Sequence, residues 1–126
     1  MQHNLIIATL KDTFVCGFGI STEFPYVEFA KRSGSEVFRL WIDCEWKINP
    51  SKNYQNLTED EFEILELNRL RSAICQNIAY VERKELTIHF DDGKKIFFDL
   101  DNTNDGNEKI TLYQINPIVK AIWIEY

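Results

Sequence analysis

What this chain lacks narrows its identity before anything it contains is read. It has only three cysteines in 126 residues, Cys16, Cys44 and Cys75, an odd and widely spaced set with no Cys-x-x-Cys pair. That pattern excludes a disulfide scaffold and an ordinary zinc cluster, and it fits a reducing compartment in which all three serve as small core or strand residues. No apolar run approaches the ~20 residues a membrane-spanning helix needs. The opening Met1-Gln2-His3-Asn4, followed by Leu5-Ile6-Ile7-Ala8, lacks the basic start and the length of a secretion signal, so the expected location is the cytoplasm. Positive charge is scarce too: 14 Lys and Arg face 20 Asp and Glu, for a net charge of -6. With a pI near 4.9, the chain is poorly suited to nucleic acid or an anionic membrane, and basic partners are favoured. Gly17 and Gly19 have no third glycine to complete a dinucleotide fingerprint, and read instead as a bend or bulge in a strand.

Of what is present, 44% is hydrophobic and 27% charged. That balance describes one ordinary globular domain over residues 1–126, able to bury roughly two thirds of its unfolded surface without cofactor or disulfide. Within it a β-hairpin pattern occurs twice. The first copy runs from Cys16 through Val27-Glu28-Phe29, a turn at Ser33-Gly34, and Val37 to Asp43. The second runs from Cys75 through Leu86-Thr87-Ile88-His89-Phe90, a turn at Asp92-Gly93, and Ile96 to Asp101. Both alternate apolar and polar residues, the signal of antiparallel strands half buried on a core. The repeat-like halves span about 10–48 and 70–101.

Register follows from which residues must share a face. Phe29 opposite Phe38 and Val27 opposite Leu40 place Glu28 against Arg39 and Tyr26 against Trp41 on the other face. In the second hairpin, Phe90 opposite Ile96, Ile88 opposite Phe98 and Leu86 opposite Leu100 imply a three-residue loop, Asp92-Gly93-Lys94, with Thr87 facing Asp99. Between the halves, Thr58-Glu59-Asp60-Glu61 is a capping box that opens a helix from about 58 to 71, with acidic residues first and Arg69 and Arg71 last. Asn49 to Asn53 reads as loop before it, and Asn102 to Asn107 as a polar loop after the second hairpin. Thr111 to Tyr113 and Val119 to Ile124 read as closing strands with Pro117 at a break. The expected fold is therefore α+β, mostly antiparallel sheet built from two similar β-hairpin units with one main helix between them.

Two short strings point to chemistry. Ile96-Phe97-Phe98-Asp99-Leu100-Asp101-Asn102-Thr103 resembles the first motif of the haloacid dehalogenase phosphatases, an apolar strand ending in Asp-x-Asp-x-Thr. The resemblance implies Asp99 as nucleophile toward phosphate, Asp101 as general acid/base, and magnesium beside them. That family also needs a Ser or Thr, a Lys and further acidic ligands on later strands, for which the short remainder after Thr103 has little room. Asn104 stands where the family has an apolar residue. Read from the residues alone, Asp99 is a solvent-facing aspartate at a strand end. Asp101, Thr103, Asp105 and Gly106 match part of an EF-hand calcium loop, but Glu108 and Leu112 fall where an apolar residue and a bidentate glutamate belong. His89 shares its face with Phe97 and reads as a strand histidine; His3 lies in an N-terminus expected to fray. No serine or cysteine has a histidine partner. No catalytic residue, metal site or cofactor is expected.

What remains is surface. Tyr26 and Trp41 pair opposite the presumed core, with Trp46, Trp123 and Tyr126 elsewhere. Either the helix covers this face as a second core layer, or it forms an aromatic patch rimmed by Asp43, Glu45, Asp91, Asp92, Asp99 and Asp101 that suits a basic protein partner. Glu59 to Glu66 forms a further acidic strip, the ordinary look of a solvated helix face. This small, acidic, aromatic-rich chain, with its duplicated strand-Gly-strand-Asp layout, resembles the immunity proteins bacteria make against toxins. The resemblance implies a non-catalytic protein that blocks a toxin's basic active site by occlusion. A homo-oligomeric structural domain, such as a homodimer joined through edge strands, and a magnesium-dependent phosphatase using Asp99 and Asp101 are the alternatives.

Overall fold

A computed structural model describes residues 2–22, 24–101 and 108–125. In chain order the elements are α1 (Gln2–Leu10), β1 (Phe14–Ser21), β2 (Phe24–Ala30), β3 (Val37–Ile42), β4 (Trp46–Asn49), α2 (Glu59–Asn68), β5 (Cys75–Val81), β6 (Glu85–Phe90), β7 (Lys95–Asp99), β8 (Ile110–Asn116) and β9 (Lys120–Glu125). The strands form two antiparallel sheets, ordered β1-β2-β3-β8-β9 and β4-β7-β6-β5. One buried cluster draws alternate residues from both sheets, including Val27, Phe29 and Leu40 from one and Leu86, Ile88 and Phe98 from the other. The α+β, antiparallel expectation holds.

The first hairpin pairs as its alternation requires: Tyr26 with Trp41, Val27 with Leu40, Glu28 with Arg39 and Phe29 with Phe38. The second is two residues out of the expected register. Ile88 pairs with Ile96, Leu86 with Phe98, Thr87 with Phe97 and Glu85 with Asp99, and the loop is Asp91-Asp92-Gly93, closed by Phe90 N–H donating to Lys94 O at 2.9 Å. Gly93, at φ +89°, takes the left-handed third position of that loop, which glycine fills without steric cost. A slip of two preserves every face, so alternation could not detect it.

Two elements went unforeseen. The N-terminal segment expected to fray is helical, and Ile6 and Leu10, one turn apart, are fully buried. The four residues of β4 pair with β7, Trp46 opposite Phe98 and Ile48 opposite Ile96. The closing strands appear as β8 and β9, and α2 opens on the foreseen capping box. Thr58 Oγ1 accepts from Glu61 N–H at 3.2 Å, and Glu61 Oε1 accepts from Thr58 N–H at 2.9 Å. The helix ends at Asn68, three residues short of the expectation.

The duplication is deeper than two hairpins. Each half is a helix, a left-handed residue (Asp12, φ 68°; Ser72, φ 67°) and three strands. The first strand of each carries a bulge, between Val15 and Gly17 and between Cys75 and Asn77. Cys75 thus matches Val15, and Cys16, aligned with it in the sequence, is instead the exposed bulge residue. The halves meet at an antiparallel bridge between Phe14 and Ile74, where the hydrogen bonds are reciprocal. Asp12 N–H donates to Cys75 O and Ser72 N–H to Val15 O, at 2.8 and 3.0 Å; Cys75 N–H donates to Thr13 O and Val15 N–H to Ala73 O, at 2.8 and 2.9 Å. The fourth strand of each half then crosses over: β4 completes the sheet of β5 to β7, and β8 extends the sheet of β1 to β3. Both crossing strands end in Ile-Asn-Pro, at 48–50 and 115–117, and both Asn–Pro bonds are cis.

Candidate functional site

The two crossovers converge on Cys44. Asp43 N–H donates to Lys109 O at 2.8 Å and Asp99 N–H to Glu45 O at 2.9 Å, a second reciprocal pair. Burial, with Asp43, Asp99 and Glu45 close by, pushes the Cys44 thiol up to about 12. It stays protonated near neutrality and is no nucleophile. Cys75 is also pushed up to about 12, by burial and Asp12.

Beside this junction opens a cleft of about 650 Å³. Asp43 and Glu45 form one wall and the first turns of α2, Glu59, Asp60 and Glu63, form the other, with Phe24, Pro25 and Trp46 as its apolar surface and no Lys or Arg among the described lining residues. The capping box fixes the α2 wall, because it sets where the helix begins and so which carboxylates face the cleft. Burial raises the Glu63 carboxyl above its ordinary range, Glu59 and Asp60 add to the rise, and the Trp46 indole partly offsets it. A cation entering beside Glu63 relieves both its burial and its repulsion by Glu59 and Asp60.

Of the eight residues singled out from the sequence, Asp43 and Glu45 line this cleft, and Asp99 flanks it in a smaller hollow shared with Glu45 and Trp46. The others do not join one rim. Asp91 and Asp92 sit at the opposite end of the β6–β7 hairpin, on the order of 20 Å from Asp99 at ~3.3 Å per strand residue. They shape that turn: Asp91 Oδ1 accepts from Ile74 N–H at 3.0 Å and Asp92 Oδ1 from Lys94 N–H at 3.0 Å. Burial works against Asp92, but the Lys94 hydrogen bonds outweigh it and hold that carboxyl below its usual range. The α2 wall was read as a solvated strip. Its place in the cleft depends on the chain's path between β4 and α2, on which local pattern carries no information.

Tyr26 and Trp41 do pack together, 5.0 Å between ring centroids. The helix does not cover them, since α2 packs against β1 and sends Leu67 to the core side, followed there by Leu70 just past its end. Nor is the patch bare. The Arg39 guanidinium lies 4.5 Å from the Tyr26 centroid and 5.3 Å from that of Trp41, and its Nε donates to Glu28 at 2.8 Å. The Tyr26 ring itself lies over Gly19, where a Cβ would fall 2.7 Å from its hydroxyl.

Of the phosphatase-like string, Ile96 to Asp99 lie on β7, an antiparallel strand between β4 and β6. Asp99 Oδ1 accepts from Asp101 N–H at 2.9 Å, closing a turn. Asn102, Thr103, Asp105 and Gly106 lie outside the described residues, as does the polar loop they belong to. Among the described residues, no group of three or more His, Cys, Asp or Glu is placed to hold a metal ion. No helix there is long and apolar enough to cross a membrane.

Compared with known proteins, the chain matches no family model, no curated protein and no solved structure.

Proposed function

We propose that this chain is a non-catalytic, intracellular protein-binding domain whose acidic cleft receives a basic segment of a protein partner. The observation that carries the reading is the cleft itself, where Glu45 on one wall and Glu59, Asp60 and Glu63 on the other lie beside the aromatic faces of Trp46 and Phe24. Lysine or arginine suits such a lining, because the carboxylates supply charge-assisted hydrogen bonds and the aromatic faces accept the cation. Occlusion of a toxic enzyme's basic substrate site, as immunity proteins perform it, needs this combination and no chemistry of its own. The protonated thiol at the junction is in keeping with that.

The test is a tagged pull-down from the native cell at low salt, eluted with rising salt, with wild type run beside a Glu59→Lys/Glu63→Lys variant whose fold is checked by circular dichroism. The expected result is one basic protein held stoichiometrically by wild type and lost by the variant. Close charge pairs across interfaces contribute roughly 1.5–7 kcal/mol, so the variant's affinity should fall at least tenfold. Equal capture by both proteins would remove the cleft from the interface.

A further inference from the structure

The junctions between the halves have the form of a subunit interface. At Phe14 and Ile74 the same two backbone bonds are made twice with the halves exchanged, 12 to 75 and 72 to 15, 75 to 13 and 15 to 73. At the Cys44 junction the pattern repeats, 43 to 109 and 99 to 45. Such reciprocity, residue i of one half on j of the other and j on i, defines an isologous two-fold contact. The helices follow it as well: α1 packs on β5 of the second half, and α2 on β1 of the first.

Neither half closes its own sheet. The outer edge of β7 is filled by β4, and that of β3 by β8. Taken alone, each half would expose an unpaired strand edge and an open side of the core. The covalent link between them is the stretch from 50 to 58, which contains no helix or strand. Across it, Arg69 of the second half donates to the Pro50 carbonyl that ends the first.

From this geometry we infer that the protein is a tethered dimer, in which the surface presented by each half is a binding site for the other, and the stretch around Ser51 to Asn53 acts only as a tether. The partner each half requires is its complement, whether from the same chain or a second copy of it. A tether raises the effective concentration of the second half without adding a contact, so cutting it lowers the stability of the pair and leaves the structure in place.

The experiment uses the full chain with a specific protease site inserted between Lys52 and Asn53, both exposed; the uncut form provides the folded control. After cleavage, the two pieces are expected to co-elute as one particle with an unchanged circular dichroism spectrum. The melting temperature of the cut protein should rise with its concentration, while that of the uncut protein should not, because only the cut form dissociates as it unfolds. Pieces that separate on a sizing column while one keeps its structure would overturn the inference, since that half would then be complete by itself. So would a cut particle whose melting temperature is independent of concentration.

Discussion

At the scale of single residues, Glu63 is where the cleft's charge can be read. Its carboxyl is raised by burial, then by Glu59 and Asp60, so the folded state favours the protonated form. The resulting penalty is present at neutral pH and disappears as pH falls through the folded-state pKa toward the ordinary glutamate value. Glu63→Gln is therefore expected to raise the melting temperature at neutral pH and to change it little in acid, as thermal melts of the two proteins across that range would show. In a complex, a partner's cation lowers the same pKa and so favours the ionised carboxylate. The exposed Glu61 behaves oppositely: hydrogen bonding to Thr58 lowers its carboxyl, and its contribution is lost as pH falls through that lowered value.

Among the elements, α2 is held by an ion pair that the rest of the fold encloses. Glu66 and Arg69 have side chains 5% and 10% exposed, 3.1 Å apart, and Tyr54 donates to Glu66 at 2.9 Å. Arg69→Ala leaves a buried carboxylate without its cation and should cost about 3–5 kcal/mol in urea unfolding, whereas replacing both residues with apolar ones of similar volume should recover most of that loss. Elements also mark how far pattern reading reaches. The Thr58 capping box and the first hairpin were legible because local chemistry decides them, through one hydroxyl, one glutamate and an unbroken alternation from Tyr26 to Trp41. The α1 helix was not legible, since Leu5-Ile6-Ile7 carries no helix-start signal and its burial comes from packing on β5 and β9. β4 was missed for a similar reason: Trp46-Lys47-Ile48-Asn49 becomes a strand only because β7 lies beside it. The acidic rim failed on distance, as Asp92 and Asp99 are near in sequence but at opposite ends of β7.

For the whole molecule, the net charge is -6, and several of its carboxylates, Glu45, Glu59, Asp60 and Glu63 among them, line one cleft. Self-repulsion of this kind is screened over about 8 Å at physiological ionic strength. Sodium chloride is thus expected to raise the melting temperature of the free protein by a few degrees between low and physiological salt, while weakening its hold on a basic partner. A melting temperature that falls as salt rises would mean that ion pairs such as Glu28–Arg39 outweigh the cleft.

The exchange of β4 and β8 between the halves also bears on how the chain is made. As it leaves the ribosome from its N-terminus, β1 to β3 can pair at once, but the far edge of β3 stays bare until β8 is synthesised, and β4 has no neighbour until β7 follows. More than sixty residues separate β3 from β8. Throughout that interval the nascent chain offers an open strand edge to anything nearby, the condition under which growing chains aggregate or recruit chaperones.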